Sequence, residues 1–156
     1  MSGETLRGTG LADDLVGTED GDRIFGSGGN DTVLGQQGND LIDGGRGNDT
    51  LLGSFGNDYL FGGANYDLIK GEDGDDEVEG ASGKDKVSGG PGNDILVGGA
   101  GDDILSGENG DDNLFGGPGN DTLSGGPGLD YFDCGPGGGR TVDFNMTEGD
   151  ARAANC

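Results

Sequence analysis

A nine-residue period runs through this sequence and decides what the chain can fold into. Counted from Gly8, the register holds through residue 133 and gives 14 consecutive units. The first residue of every unit is Gly, the sixth is Asp and the eighth is apolar. A fixed period of this kind is typical of stacked repeats, in which each unit packs only against its neighbours.

Each unit predicts a six-residue turn followed by a strand of three residues. In one unit, residues 116–121 form the turn and residues 122–124 form the strand. Gly adopts positive φ in turns without steric cost, and the fourth position is Gly in 11 units, with Leu11, Asp20 and Asn65 as exceptions. Of the three, Asn tolerates positive φ best. Strand side chains alternate between faces, so the apolar middle residue points opposite to its two neighbours.

Two units make one coil of 18 residues, in which the chain goes out along one strand and returns along another. The 14 units therefore predict about seven coils and an all-β solenoid of two parallel sheets. The eighth-position side chains lie between the sheets. One apolar residue in nine makes a thin core, so we expect a further stabilising element.

Stacking in register places each sixth-position Asp next to the Asp 18 residues away. The first edge carries Asp13, Asp31, Asp49, Asp67, Asp85, Asp103 and Asp121. The second edge carries Asp22, Asp40, Asp58, Asp76, Asp94, Asp112 and Asp130. Adjacent carboxylates in such a column repel unless cations lie between them. A plain turn role would permit Asn or Ser at this position, and neither occurs there; Asn is instead frequent at position five, where we interpret it as a turn residue.

The ligands that these turns offer are carboxylates and backbone carbonyls, which is the donor set of a hard cation. Ca²⁺ accepts six to eight oxygens in a flexible cage, whereas Mg²⁺ requires octahedral geometry and retains its waters. Six gaps on each of two edges predict up to about 12 calcium ions, enough to offset the net charge of -23. An EF-hand is excluded, because Val78 stands where the acidic run that begins at Asp73 would need Gly.

The composition restricts the function further. With 40 Gly, few aliphatic residues and 31 acidic against 8 basic residues, the chain has the composition of a disordered protein when no metal is bound. The negative charge disfavours nucleic acid and anionic membranes as partners, and no apolar stretch is long enough to span a bilayer. There is no His, and no group of residues suits catalysis, so we expect that the protein is not an enzyme.

The units at residues 89–97 and 116–124 resemble the calcium-binding nonapeptide of the repeats-in-toxin (RTX, haemolysin-type) family. The resemblance covers residues 8–133. It implies a right-handed parallel β-roll that is disordered without Ca²⁺ and folds when Ca²⁺ fills the turns, with the fourteen Asp and main-chain carbonyls of the turns as ligands. It also implies secretion to the cell exterior or surface, with any signal peptide absent from this chain.

The two ends depart from the repeat. We expect residues 1–7 to form an N-terminal half-repeat, residues 8–133 to form the roll and residues 134–156 to form a cap that covers the last coil. Calcium sites in the first two units should be the weakest, because Leu11 and Asp20 replace the fourth-position Gly. In the cap, Gly139 stands in place of the ligand Asp, and residues 141–144 predict one more strand, shifted by one residue.

Cys134 and Cys156 are the two cysteines of the chain. In an acidic chain of this kind they favour a disulfide over two free thiols. The tail is also similar to the C-terminal end of stand-alone secreted calcium-binding repeat proteins, in which a Cys pair closes the last coil.

The outward positions seven and nine are charged in the middle of the chain and apolar nearer the N-terminus. One sheet presents Val16, Leu34, Leu52 and Leu68, and the other presents Phe25, Leu41, Tyr59 and Phe61. The primary hypothesis is a secreted structural module that depends on Ca²⁺. The alternative is a Ca²⁺-dependent filament subunit or adhesin that uses these patches and the coil ends. Ice binding is disfavoured, because position three carries no regular row of Thr.

Overall fold

Consecutive β-strands fall alternately into two parallel sheets of nine and eight strands. The computed structural model describes residues 3–146 and 149–156, in which the chain forms strands, turns and loops without a helix. The nine-stranded sheet contains β1 Thr5–Arg7, β3 Arg23–Gly28, β5 Leu41–Arg46, β7 Tyr59–Ala64, β9 Glu77–Ser82, β11 Ile95–Ala100, β13 Asn113–Phe115, β15 Tyr131–Asp133 and β17 Ala151–Arg152. The eight-stranded sheet contains β2 Asp14–Val16, β4 Thr32–Gln37, β6 Thr50–Phe55, β8 Leu68–Asp73, β10 Lys86–Pro91, β12 Ile104–Asn109, β14 Thr122–Ser124 and β16 Arg140–Thr141.

The predicted 18-residue coil is confirmed by the strand register. Ile42 pairs with Leu60 in one sheet, and Leu51 pairs with Ile69 in the other. The sheet order places each strand beside the strand two further along the chain, which is the topology of a β-solenoid. With β1 and the strands of the cap included, the solenoid has about eight coils, one more than the complete nonapeptide units provide.

The eighth-position residues form the core between the sheets, as predicted. From Ile24 to Phe132 each of them is at most 1% exposed. Leu6 and Leu15, at the N-terminal end, are only partly buried but pack against this core. Within the described residues, the first coil packs against another coil on one side only.

Most strands are longer than the three residues that the repeat predicted. Strands β3 to β12 have six residues each, because the pairing continues from position nine through the first Gly to position three of the following turn. Between β3 and β5, for example, Ser27 pairs with Gly45 and Gly28 pairs with Arg46. Much of what reads as a turn in the sequence is thus strand, and the sharp change of direction falls on positions four to six.

Strand β16 keeps the 18-residue register, and the predicted shift by one residue was wrong. Arg140 pairs with Thr122 and Thr141 pairs with Leu123 in β16. The main chain determines this register, since the Arg140 N–H donates to the Asp121 carbonyl at 2.9 Å. Thr141 consequently takes the inward position of the repeat, and Val142 remains 52% exposed.

The end of the core is covered by residues that follow the last repeat. The predicted disulfide between Cys134 and Cys156 is confirmed, and Cys134 is fully buried. Phe144 packs edge-on against Phe132 with 6.1 Å between ring centroids, and the Arg152 guanidinium lies 4.7 Å from the Phe144 ring centroid. Residues 1 and 2 of the predicted half-repeat and residues 147 and 148 of the predicted cap lie outside the described residues.

Candidate metal centre

The fourteen sixth-position Asp residues form two columns, one along each edge of the solenoid. First-edge turns lead from the nine-stranded to the eight-stranded sheet, and second-edge turns lead back. Within each column, one carboxylate oxygen of every Asp after the first accepts the backbone N–H of the Asp one coil earlier. The Asp49 N–H donates to Asp67 Oδ1 at 2.8 Å, and the Asp58 N–H donates to Asp76 Oδ1 at 2.8 Å. From Asp22 to Asp130 these side chains are at most 3% exposed.

The other carboxylate oxygen of most column members has no hydrogen-bond partner. Within the described residues, 12 buried side-chain oxygens lack one, and every one of them is an Asp Oδ2 of these columns. They belong to Asp31, Asp40, Asp49, Asp58, Asp67, Asp76, Asp85, Asp94, Asp103, Asp112, Asp121 and Asp130. A buried charged oxygen without a partner loses its hydration and gains nothing in return. The turns are therefore incomplete as protein alone.

Each unpartnered oxygen lies beside the first Gly of its own turn. A Cβ added to Gly44 would lie 2.7 Å from Asp49 Oδ2 and 2.7 Å from the Gly62 carbonyl oxygen of the next coil. At Gly80 the corresponding distances to Asp85 Oδ2 and the Gly98 carbonyl oxygen are both 2.7 Å. A carboxylate and a carbonyl thus converge on a space that only glycine leaves open, which explains Gly at position one in every unit.

Burial and crowding both oppose the charge of these carboxylates. Burial, with neighbouring column members adding to it, raises the pKa of Asp58, Asp67 and Asp94 to about 7. The pKa values of Asp76, Asp103 and Asp112 are raised to about 6, again first by burial. These six carboxyl groups therefore ionise only as the pH approaches neutrality, because the surrounding protein does not compensate their negative charge.

Asp22, the first Asp of the second edge, differs in its electrostatics from the later members of that column. Although burial raises the pKa of Asp22, hydrogen bonds from the Glu4 N–H and from the Thr18 N–H and hydroxyl outweigh it, and the net shift is downward. The Glu4 N–H lies 2.5 Å from Asp22 Oδ1. Thr18 therefore supplies donors to Asp22 Oδ2 that the corresponding oxygens of the twelve later turns lack.

The donor set fits Ca²⁺. No group of three or more acidic or Cys side chains in residues 3–146 and 149–156 converges on one point. Each turn instead offers one carboxylate oxygen together with carbonyl oxygens of neighbouring backbone, and Ca²⁺ binds carboxylate and carbonyl oxygens in flexible geometry. When bound, the ion would supply the positive charge that the unpartnered oxygens lack.

A second ladder at position five was missed by the sequence interpretation, which treated these residues as simple turn formers. Nine of the 14 units carry Asn or Asp there. Asn30 Oδ1 accepts the Asn48 N–H at 2.9 Å, and Asp75 Oδ1 accepts the Asn93 N–H at 2.8 Å. These side chains accept from the following coil, whereas the sixth-position side chains accept from the preceding one. The recurrence of Asn and Asp at one position was the signal available.

Two carboxylates of the C-terminal segment were also missed. Asp143 accepts the Gly125 N–H at 3.0 Å and the Gly126 N–H at 2.8 Å, and so ends the eight-stranded sheet with side-chain acceptors. Asp150 accepts the Asp130 N–H at 3.3 Å and thereby extends the second column. Because Tyr131 pairs with Ala151, 20 residues away, two extra residues displace Asp150 from the period and hide it in the sequence.

The predicted apolar outward rows are for the most part half-buried. Among them Val16 is 54% exposed and Tyr59 is 37% exposed, while Leu34 and Phe61 are partly buried. The Arg7 guanidinium lies 4.3 Å from the Phe25 ring centroid and covers that end of the row. The rows therefore form strips of moderate exposure.

Stacked parallel coils with oxygen-lined, glycine-dependent turns define the class of calcium-binding β-solenoids. A family model of the RTX calcium-binding nonapeptide repeat matches residues 7–42, 16–51, 34–69, 52–87, 88–123 and 106–139. These overlapping matches span most of the chain, and the chain belongs to this family. A search of curated proteins found no match. No helix in the described residues has the length and apolar character needed to cross a membrane.

Proposed function

We propose that this protein is a secreted structural module that folds when Ca²⁺ binds between its stacked turns. The family and the solenoid fit a calcium-binding structural module rather than a catalytic one. The observation that carries the proposal is the set of 12 buried carboxylate oxygens without partners. A divalent cation beside each would replace an uncompensated buried charge with a coordinated one.

The proposed ligands are the column Asp carboxylates with carbonyls of the turns, as at Asp49 and Gly62. Up to about 12 ions per chain are proposed, in agreement with the number of unpartnered oxygens. Within this function, residues 8–133 serve as the calcium-binding roll, residues 1–7 as its half-repeat and residues 134–156 as its cap. RTX repeats are typical of secreted proteins, which supports an extracellular or cell-surface location.

The experiment that tests the proposal is a Ca²⁺ titration of the stripped protein, followed by circular dichroism and by calorimetry. We expect a disordered spectrum without Ca²⁺, a β-sheet spectrum with it, reversal by a chelator and roughly a dozen ions bound. Mg²⁺ at the same concentrations is the control and should not induce the fold. A chain that is folded without metal, or that binds only one or two ions, would contradict the proposal.

The alternative of a filament subunit or adhesin has less support. Head-to-tail stacking needs two open coil ends, and Phe144, Arg152 and the disulfide cover the core at the C-terminal end. In the described part of the chain only the first coil, with the partly buried Leu6 and Leu15, could offer such an end, which would favour pairs over filaments. Sedimentation in Ca²⁺ distinguishes the two functions, since a filament subunit grows in mass without limit as its concentration rises.

A further inference from the structure

In the first two turns the sixth-position carboxylate has hydrogen-bond partners at Oδ2, which it lacks in the twelve turns that follow. Asp13 Oδ2 accepts the Thr9 N–H at 2.6 Å and the Thr9 hydroxyl at 2.9 Å. Asp22 Oδ2 accepts the Thr18 N–H at 2.5 Å and the Thr18 hydroxyl at 3.1 Å. In the other twelve turns the same oxygen has no partner. Protein donors thus stand where the later turns leave an unpaired oxygen.

The backbone conformation at position two separates the same two groups of turns. In all twelve turns with an unpartnered oxygen, the residue at position two has positive φ. Six of these residues are Gly, and the others are Ser27, Gln36, Ser54, Glu72, Ala81 and Glu108, with φ between 73° and 86°. Thr9 and Thr18 are not among the residues of positive φ.

The side chain of threonine accounts for this difference. A β-branched residue is a genuine outlier in the left-handed region, whereas Ser, Ala and unbranched residues enter it at lower cost. Ser27 and Ser54 also show that a hydroxyl at position two is not sufficient, because their Asp31 and Asp58 partners in the repeat remain unpaired. The branch at Cβ, rather than the hydroxyl, distinguishes the two groups.

The strand ladder includes position two in most turns. In β3, positions seven to nine continue through Gly26 into Ser27, which pairs with Gly45 of the neighbouring strand. The Gly99 N–H, at position two, donates to the Gly116 carbonyl of the next coil at 3.0 Å, whereas the Thr9 and Thr18 N–H groups donate to the Asp of their own turn. In ten of the twelve turns with an unpaired oxygen, position two lies within a six-residue strand, and in the other two, after β13 and β14, it lies beyond the end of the strand. Positive φ at position two, rather than strand length, therefore accompanies the unpaired oxygen.

We infer that the residue at position two decides whether a turn accepts a cation, and that Thr9 and Thr18 close the first coil without one. The inference rests on the proposed calcium binding and specifies which turns perform it. Ions are then confined to the twelve turns from residues 26–31 to residues 125–130, and the first coil acts as a hydrogen-bonded N-terminal cap. A similar closure occurs at the other end, where Asp150 Oδ2 accepts the Asn145 N–H at 2.7 Å.

The test adds one methyl group to a cation-accepting turn. Ser27 is exposed and has a left-handed backbone conformation, with φ of 80°. The substitution Ser27→Thr therefore changes little besides the preference of the residue for negative φ. Ser27→Ala is the matched control, because Ala81 occupies the same position with φ of 78°. Native mass spectrometry in Ca²⁺, which resolves individual bound ions, should count one ion fewer in Ser27→Thr than in Ser27→Ala. Circular dichroism in Ca²⁺ checks that both variants fold.

The reverse change is the double variant Thr9→Gly/Thr18→Gly, which removes both branched residues and both hydroxyls. We expect it to bind up to two more ions than the unchanged protein and to lose the slow hydrogen exchange of the residue 9 and 18 amides. Equal ion counts in folded Ser27→Thr and Ser27→Ala overturn the inference. If Ser27→Thr does not fold, the double variant decides alone, and an unchanged count overturns it. An unchanged protein that binds no Ca²⁺ refutes the proposed function itself.

Discussion

At the scale of single residues, the turns depend on the absent side chain of Gly at position one as much as on the Asp carboxylate at position six. Gly at position one leaves a space between a carboxylate and a carbonyl, and Asp at position six places an unpartnered oxygen against it. Neither residue alone makes the site. Together they fit a small cation that prefers oxygen ligands.

Filling one such space should remove one site. In Gly44→Ala the new methyl group would meet Asp49 Oδ2 and the Gly62 carbonyl oxygen at 2.7 Å each, closer than a carbon can approach without displacement. We expect one ion fewer and a free energy of unfolding in Ca²⁺ lower by about 2 kcal/mol, measured by urea denaturation. Gly10→Ala is the control, because an added Cβ there meets no atom within 4 Å. Equal effects of the two substitutions would refute the steric argument.

The raised pKa values predict how the metal-free chain responds to pH. A carboxyl whose pKa is near 4 when unfolded and about 7 when folded, as at Asp58, Asp67 and Asp94, favours folding in its protonated form. Its contribution is complete below the unfolded pKa and is lost as the pH rises through the folded pKa. The β-sheet signal of calcium-free protein should therefore increase between about pH 7 and pH 4, as measured by circular dichroism. A signal that decreases on acidification contradicts this prediction.

At the scale of the strand and turn, two opposed hydrogen-bond ladders connect each coil to the next. Sixth-position carboxylates accept from the coil before, and fifth-position side chains accept from the coil after. Because adjacent residues accept in opposite directions, each such turn is hydrogen-bonded to the coil before it and to the coil after it, even where the Asp Oδ2 is unpaired. Sequence positions that look like simple turn formers therefore contribute to the stacking.

Removing one acceptor of the fifth-position ladder should lower stability without changing the number of ions. Asn93 Oδ1 accepts the Asp111 N–H at 2.9 Å at an exposed position. We expect Asn93→Ala to reduce the free energy of unfolding in Ca²⁺ by about 0.5 to 1 kcal/mol, because water replaces the lost acceptor only in part. Asn113→Ala, at an exposed position of β13, is the control and should have a smaller effect. A loss of bound Ca²⁺ in Asn93→Ala would show that position five also serves the metal.

The period predicted the order and pairing of the strands, though not their length, because stacking in register repeats every local relation every 18 residues. It gave the two sheets, the core from Ile24 to Phe132 and the two Asp columns. The period could not predict the backbone conformation at position two, because residues as different as Ser27, Glu72 and Gly45 share a positive φ there. It also could not predict Asp150, because two extra residues displace it from the column register.

At the scale of the whole molecule, the solenoid has two unlike ends. Thr9, Thr18 and the Glu4 N–H close the N-terminal turns with hydrogen bonds, and Leu6 and Leu15 stay partly exposed. The C-terminal end has a disulfide, an aromatic cover and two additional carboxylates. In a one-dimensional stack, fraying begins at the end whose interface is weaker. The covalent link therefore protects the C-terminal coil more than any contact protects the first.

Opening the disulfide should consequently weaken the C-terminal end of the solenoid and leave the calcium sites of the middle intact. The bond joins residues 22 apart, and a loop of that size contributes about 3 kcal/mol by restricting the unfolded chain. We expect Cys134→Ser/Cys156→Ser to unfold in Ca²⁺ with a free energy lower by about 2 to 4 kcal/mol. Hydrogen exchange should speed up in β15 and β17 before it does in β7 or β8. The unchanged protein treated with a thiol reductant is the matched control and should behave like the double variant. Faster exchange that begins instead at β1 and β2 would show that the first coil, not the cap, limits the stability of the stack.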